Sequence, residues 1–215
     1  MIIERLLAGP LETNCYLVGC PETHRAAVID PGGDADVIAA KVGDLVLTVE
    51  WIINTHGHGD HMGGNADVKA MFPSARLAIH EADAPYLLRP ELNLSHFFGA
   101  PVISPAADVL LKDGDEVLIG KLRLRVIHVP GHTPGGIALY ADAAESGLGK
   151  PVLLCGDALF AGGIGRTDFP GGSEGQLIGA IRERLLTLPP DTLVYPGHGE
   201  PTTIGREAAT NPFLT

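Results

Sequence analysis

The sequence predicts an α/β protein whose sheets lie inside and whose helices flank them. Three observations lead there. Strand-period and helix-period segments alternate along the 215 residues, 45% of the residues are hydrophobic, and no Pro/Ser-rich linker cuts the chain. That length buries a large core, and one domain over residues 1–215 is expected.

The pieces "IIERLL", "NCYLVGC" and "RAAVID" are rich in branched or aromatic residues and end at turn formers, the pattern of a meander. "DADVIAAKVGDL" then spaces apolar residues at helical intervals behind an aspartate cap at Asp34 or Asp36. The strand "WIINTH" follows, then a helix in "MGGNADVKAMF", a strand in "ARLAIH" and a short helix in "EADAPYLL". Residues 90–108 lack any period and read as a long loop, with Phe97 and Phe98 available to line a pocket. In "KLRLRVIHV" the apolar residues alternate with Lys121, Arg123 and Arg125, as on a half-exposed strand, and "GIALYA" and "PVLLCG" are further strands. "SEGQLIGAIRERLLTL" is an amphipathic helix capped by Ser173, with Arg182 and Arg184 toward its C-terminal half. "TLVYPGH" is the last strand candidate.

Charge and composition exclude several partners. The formal net charge is −11 and no basic arm is present, so a phosphate backbone finds no complementary surface and nucleic acid is not expected. Apolar runs such as residues 151–155 have the length of core strands, far below a membrane span, and the first residues lack the apolar region of a signal peptide. A soluble cytoplasmic protein is expected. Cys15, Cys20 and Cys155 show no CxxC spacing and are read as structural thiols of a reducing compartment.

Four segments share one grammar: "WIINTHGHGDH", "LRVIHVPGH", "PVLLCGD" and "TLVYPGH" each run as a buried strand, break at Gly or Pro, and place His or Asp at the break. Loops at the carboxyl ends of strands converge over a rigid scaffold, where α/β proteins put ligands. Convergence here gathers His56, His58, Asp60, His61, His132, Asp157 and His198. Five imidazoles and two carboxylates exceed the needs of one tetrahedral ion and suit two. A site without thiolates leaves room for water, unlike a closed structural zinc site. The density of HGHGDH also rules out an ordinary helix face, because alternate side chains diverge at helical pitch, and Gly57 and Gly59 supply the turn instead. His24, His80, His96 and His128 lack such partners and are read as surface or hydrogen-bonded core residues.

These residues resemble the metallo-β-lactamase superfamily, whose signature is similar to "THGHGDH" at residues 55–61, followed in the family's order by "PGH" at 130–132, "GD" at 156–157 and "PGH" at 196–198. The resemblance implies a four-layer αββα sandwich with a dinuclear centre at one rim of the sheets. It assigns His56, His58 and His132 to one metal, Asp60, His61 and His198 to the other, and Asp157 to a bridge, with Asp60 also counted as catalytic. Within the superfamily, "GDALFAGGIGRTDFPGG" and "GHGEPTTIGREAATNPF" resemble the glyoxalase II group of hydroxyacylglutathione hydrolases, in the short bacterial form without a helical C-terminal domain.

That likeness implies hydrolysis of a thioester such as S-lactoylglutathione with two divalent ions, zinc first, iron or manganese as alternatives. Two dications, two carboxylates and one hydroxide leave the site at about +1, so a small anionic thioester is the expected partner despite the acidic surface. Arg166 has two readings, an anchor for a substrate carboxylate or a salt bridge to Asp168 that holds the loop. "GRTDF" at residues 165–169 is also similar to the persulfide dioxygenases of the superfamily, which use a single Fe(II); that alternative employs His56, His132 and Asp157.

Overall fold

In the computed structural model, which describes residues 1–98 and 100–215 and Phe98 by its backbone alone, two six-stranded sheets face each other. The first runs in sequence order: β1 (Ile2–Ala8), β2 (Thr13–Gly19), β3 (Arg25–Ile29), β4 (Thr48–Ile53), β5 (Arg76–His80) and β6 (Val109–Leu111). Its first three strands form the expected antiparallel meander, and β3 to β6 are parallel. The second sheet contains β7 (Glu116–Ile119), β8 (Leu122–His128), β9 (Ile137–Ala141) and β10 (Val152–Gly156). A short hairpin, β11 (Leu159–Phe160) with β12 (Gly163–Ile164), follows outside both sheets. Strands β13 (Leu193–Pro196) and β14 (Thr202–Thr203) complete the second sheet, in the order β14-β13-β10-β9-β8-β7.

Alternation of side chains along the strands creates the four layers. On β4, Trp51 and Ile53 point between the sheets, where they meet Leu124, Val126, Leu139 and Leu154 of the second sheet. Ile52 points the other way and packs with Leu17, Val28 and Leu77 beneath helices α1 (Ala35–Asp44) and α3 (Asn65–Met71), through Ile38, Val42 and Val68. On the opposite flank, Ile127, Leu153 and Cys155 pack against α5 (Glu174–Ala180) and α6 (Ile204–Thr210), through Leu177 and Ile204. The two remaining helices are single turns, α2 (Gly59–Met62) and α4 (Ala143–Ser146). The αββα order expected from the sequence is the order observed.

Local details depart from the expectation for physical reasons. Asp34 stands at the N-terminus of α1, yet its backbone is left-handed and its carboxylate accepts from Gly9 N at 2.8 Å, so it fastens the β1–β2 turn rather than capping the helix. Ser173 does cap α5, accepting from Gln176 N, but that helix widens into a π-turn over Ile181–Leu185, where Leu186 N reaches back to Ile181 O. "EADAPYLL" folds as a 3-10 segment, Glu81–Leu88. The long loop is held by Asn93, whose amide donates to Tyr86 O at 2.9 Å and Val102 O at 3.0 Å. Among the described residues, no helix is long and apolar enough to cross a membrane. All three cysteines are free and buried.

Candidate metal centre

Four breaks at the carboxyl ends of strands build the site. Strand β4 delivers His56, His58, Asp60 and His61; the turns after β8, β10 and β13 deliver His132, Asp157 and His198. All seven residues come together. They form three overlapping groups, His56–His58–His132, His56–His61–Asp157 and Asp60–His61–His198, and within each the potential ligand atoms lie within 4.8 Å of one another. The first group is buried, while Asp60 and His198 keep 21% and 30% of their side chains accessible, so the third group forms the rim that a small molecule meets.

Hydrogen bonds fix which nitrogen of each ring faces inward. Asp30, absent from the sequence reading, is 1% exposed and accepts from Thr55 N at 2.7 Å and Thr55 Oγ1 at 2.6 Å. Because the Thr55 hydroxyl donates to Asp30, it accepts from His56 Nδ1 at 3.2 Å, which leaves His56 Nε2 with a lone pair toward the centre. His61 Nδ1 donates to Asp30 Oδ2 at 3.0 Å, and His132 Nδ1 donates to the Arg166 carbonyl at 2.6 Å, with the same consequence for their Nε2 atoms. His56 Nε2 then faces His58 Nδ1 at 3.1 Å. Asp157 stands between the groups, one oxygen 3.3 Å from His61 Nε2 and the other 3.7 Å from His132 Nε2 and 3.8 Å from His198 Nε2.

These donor atoms fit a metal better than they fit each other. His61 Nε2, His132 Nε2 and Asp157 Oδ1 are buried and make no hydrogen bond, although each points into the cluster. Buried polar atoms are ordinarily satisfied, so a set of converging side-chain atoms left without hydrogen bonds implies a shared cationic partner. Glycines keep the approach open. A Cβ at Gly197 would strike the Asp157 carboxylate and the His61 ring, and one at Gly57 would strike the Tyr86 side chain.

The metal-free cluster polarises its own titrations. Burial, reinforced by His61, His132 and the other imidazoles, holds His56 well below its ordinary range, and burial together with His132 pushes His58 down to about 3. Burial also opposes a charge on His61, but the carboxylates of Asp157, Asp60 and Asp30 outweigh it and raise its pKa well above the usual value. His198 is likewise raised against its burial, through its hydrogen bond to Asp60 and the charge of Asp157. Asp60 and Asp157 are both lowered, because the neighbouring imidazoles, His61 foremost, overcome the penalty of burial.

A second buried carboxylate escaped the sequence reading. Asp83, in the 3-10 segment, accepts from Gly57 N at 2.9 Å, Thr133 Oγ1 at 2.7 Å and Gly135 N at 2.6 Å, and so ties the His56–His58 turn to the loop of His132. Arg166 realises its structural reading: it pairs with Asp168 through two hydrogen bonds of 3.0 and 2.8 Å while also bordering the cavity above the cluster. Phe97 is 71% exposed and does not line that cavity, and the Phe98 side chain lies outside the described residues. His80 and His128 stack on each other, centroids 4.2 Å apart, away from the cluster.

Comparison with known proteins agrees with this geometry. Residues 8–198 match the Metallo-beta-lactamase superfamily. The chain is similar to hydroxyacylglutathione hydrolase GloC of Haemophilus influenzae, 37% identical, covering 100% of this chain and 98% of that protein. It superposes on the crystal structure of BLEG-1 B3 metallo-beta-lactamase with a TM-score of 0.91 at 36% identity, covering 100% of both chains. It also superposes on the crystal structure of TTHA1623 in a di-iron-bound form, with a TM-score of 0.85 at 35% identity, covering 98% of this chain and 100% of that one. With fold, motif order and sequence in agreement over nearly its whole length, this chain belongs to the metallo-β-lactamase superfamily.

Proposed function

We propose that this protein is a dinuclear metal-dependent hydrolase that cleaves a thioester, with S-lactoylglutathione as the first substrate to assay. The observation that carries the reading is the pair of ligand triads, His56–His58–His132 and Asp60–His61–His198, with Asp157 between them. Divalent ions held there supply Lewis acidity toward a carbonyl oxygen and lower the pKa of water to near 7. Zinc is the first candidate for this nitrogen- and oxygen-donor set, and the likeness to a di-iron protein keeps iron beside it.

The chain's own residues do the rest. Asp30 and the Arg166 carbonyl hold the rings of His61 and His132 so that protons stay on the outward nitrogens. Asp60, at the exposed edge of the cluster, accepts from His198 at 3.2 Å and is the carboxylate placed to orient the attacking water. Among the described residues that line the cavity there is no Lys or Tyr, and no His outside the two triads. A thiolate leaves without a proton, whereas an amide or alkoxide leaving group is helped by one, so this lining suits a thioester. Arg166 reaches a substrate carboxylate only by giving up Asp168.

The test joins composition to turnover. Protein purified without chelator is expected to contain about two metal ions per chain and to hydrolyse S-lactoylglutathione without oxygen. Asp60→Ala is expected to lose turnover by at least about a hundredfold. One iron per chain with persulfide-dependent oxygen uptake would instead establish the dioxygenase chemistry to which "GRTDF" is similar.

A further inference from the structure

A cavity of about 770 Å³ opens directly over the candidate metal centre, with His58, Asp60, His132, Asp157 and His198 at its floor. Its walls are mostly hydrocarbon, with Asn93, Ser95 and Arg166 as the polar members. Leu11 comes from the β1–β2 turn, Leu94 and Val102 from the long loop, Phe160 and Ile164 from the β11–β12 hairpin, and Phe169 from the segment after it. The apolar surface begins at the ligands themselves, because the Phe169 ring lies 5.8 Å from that of His58 and the Phe160 ring 6.5 Å from that of His198. Leu11 leaves 49% of its surface uncovered at the mouth.

Charge recognition is weak by comparison. Arg166 is the one Lys or Arg among the described lining residues; Asp168 holds its guanidinium bidentately, and the Phe169 ring lies 4.2 Å from it. A tripeptide thiol with two carboxylates would therefore bury charge against Leu, Ile and Phe with a single cation that is already paired. A cavity of this size and lining is that of a ligand with substantial apolar area.

We propose that the preferred substrate carries an uncharged hydrocarbon group of about six or more carbons next to the scissile thioester, bound by these apolar walls rather than by Arg166. The proposal rests on the thioester reading above. The hydrocarbon belongs to the acyl half or to the thiol half, and two substrate series separate these sources.

Metal-loaded enzyme is assayed on acetyl to octanoyl thioesters of N-acetylcysteamine, on acetyl thioesters of ethanethiol to octanethiol, and on S-lactoylglutathione. The expected result is a rise in kcat/KM of about threefold per methylene along one series, with its best member at least about tenfold above S-lactoylglutathione. Ile164→Ser and Leu11→Ser should flatten that slope. A flat response in both series, or a preference for S-lactoylglutathione, overturns the proposal and leaves the thioester reading intact. Failure to cleave any thioester overturns that reading instead. Calorimetry with the octyl thioether of N-acetylcysteamine then judges the cavity alone: binding weakened about tenfold by Ile164→Ser supports the apolar site, and absence of binding overturns it.

Discussion

Asp30 takes three hydrogen bonds on two oxygens, and two ligand imidazoles depend on it, His61 directly and His56 through Thr55. Both ring-fixing bonds fall on Oδ2, so Asn either puts its NH2 there, where Thr55 Oγ1 and His61 Nδ1 lose their acceptor, or at Oδ1, where it opposes the Thr55 N–H. Metal affinity of Asp30→Asn should fall by about 10- to 100-fold, measured by chelator competition; an unchanged affinity would contradict the role. The two triads should also differ in their response to acid. His61 and His198 have raised pKa values and hold protons against an incoming ion, whereas His56 is held low and His58 sits at about 3, so protons compete poorly there. As pH falls from above the ordinary imidazole range and on through it, the metal at Asp60–His61–His198 should leave first. Metal analysis after dialysis across that range checks this, and simultaneous loss of both ions contradicts it. The seven clustered residues were legible because strand, break and donor recur four times in the sequence. Asp30 and Asp83 were not, since an aspartate at a strand end or in a short helix carries no sign of what it will meet across the sheet.

At the scale of elements, the 3-10 segment Glu81–Leu88, expected as a short helix, braces the centre from outside the four strand ends. Pro85 and the short apolar spacing give it no long helix to form, yet it places Asp83 against two separate loops and Tyr86 against Gly57. Burial raises the pKa of Asp83, and the bonds from Thr133, Gly135 and Gly57 pull it back. Asp83→Ala strands two buried amides, and a loss on the order of 3 kcal/mol in chemical denaturation is expected, together with weaker metal retention. Loss of stability alone, with metal binding intact, would show that Asp83 supports the fold but not the turn of His56 and His58. The short strands β6, β7 and β14 were invisible for a related reason. Segments of two to four residues such as Val109–Leu111 carry too little period, and they become strands only because a longer neighbour offers its edge.

Across the whole molecule, the centre joins the two sheets at one rim. The first sheet supplies His56, His58, Asp60 and His61, and the second supplies His132, Asp157 and His198. The layer order was readable through the family resemblance, the residue patterns alone giving only sheets inside and helices outside. The packing of hairpin β11–β12 over the cluster, which shapes the cavity, was not, because two-residue strands in a glycine-rich stretch fix no direction in sequence. Ions bound across the rim stabilise only the folded state, so chelation should lower Tm by several degrees and raise hydrogen exchange at residues 56–62 and 130–133. Equal Tm values with and without chelator would contradict such a link. The most direct measurement is anomalous X-ray scattering from crystals of protein grown with zinc or iron. Two peaks are expected, one among His56, His58 and His132 and one among Asp60, His61 and His198, with Asp157 between them. A single peak, or none, at this cluster would contradict the dinuclear centre.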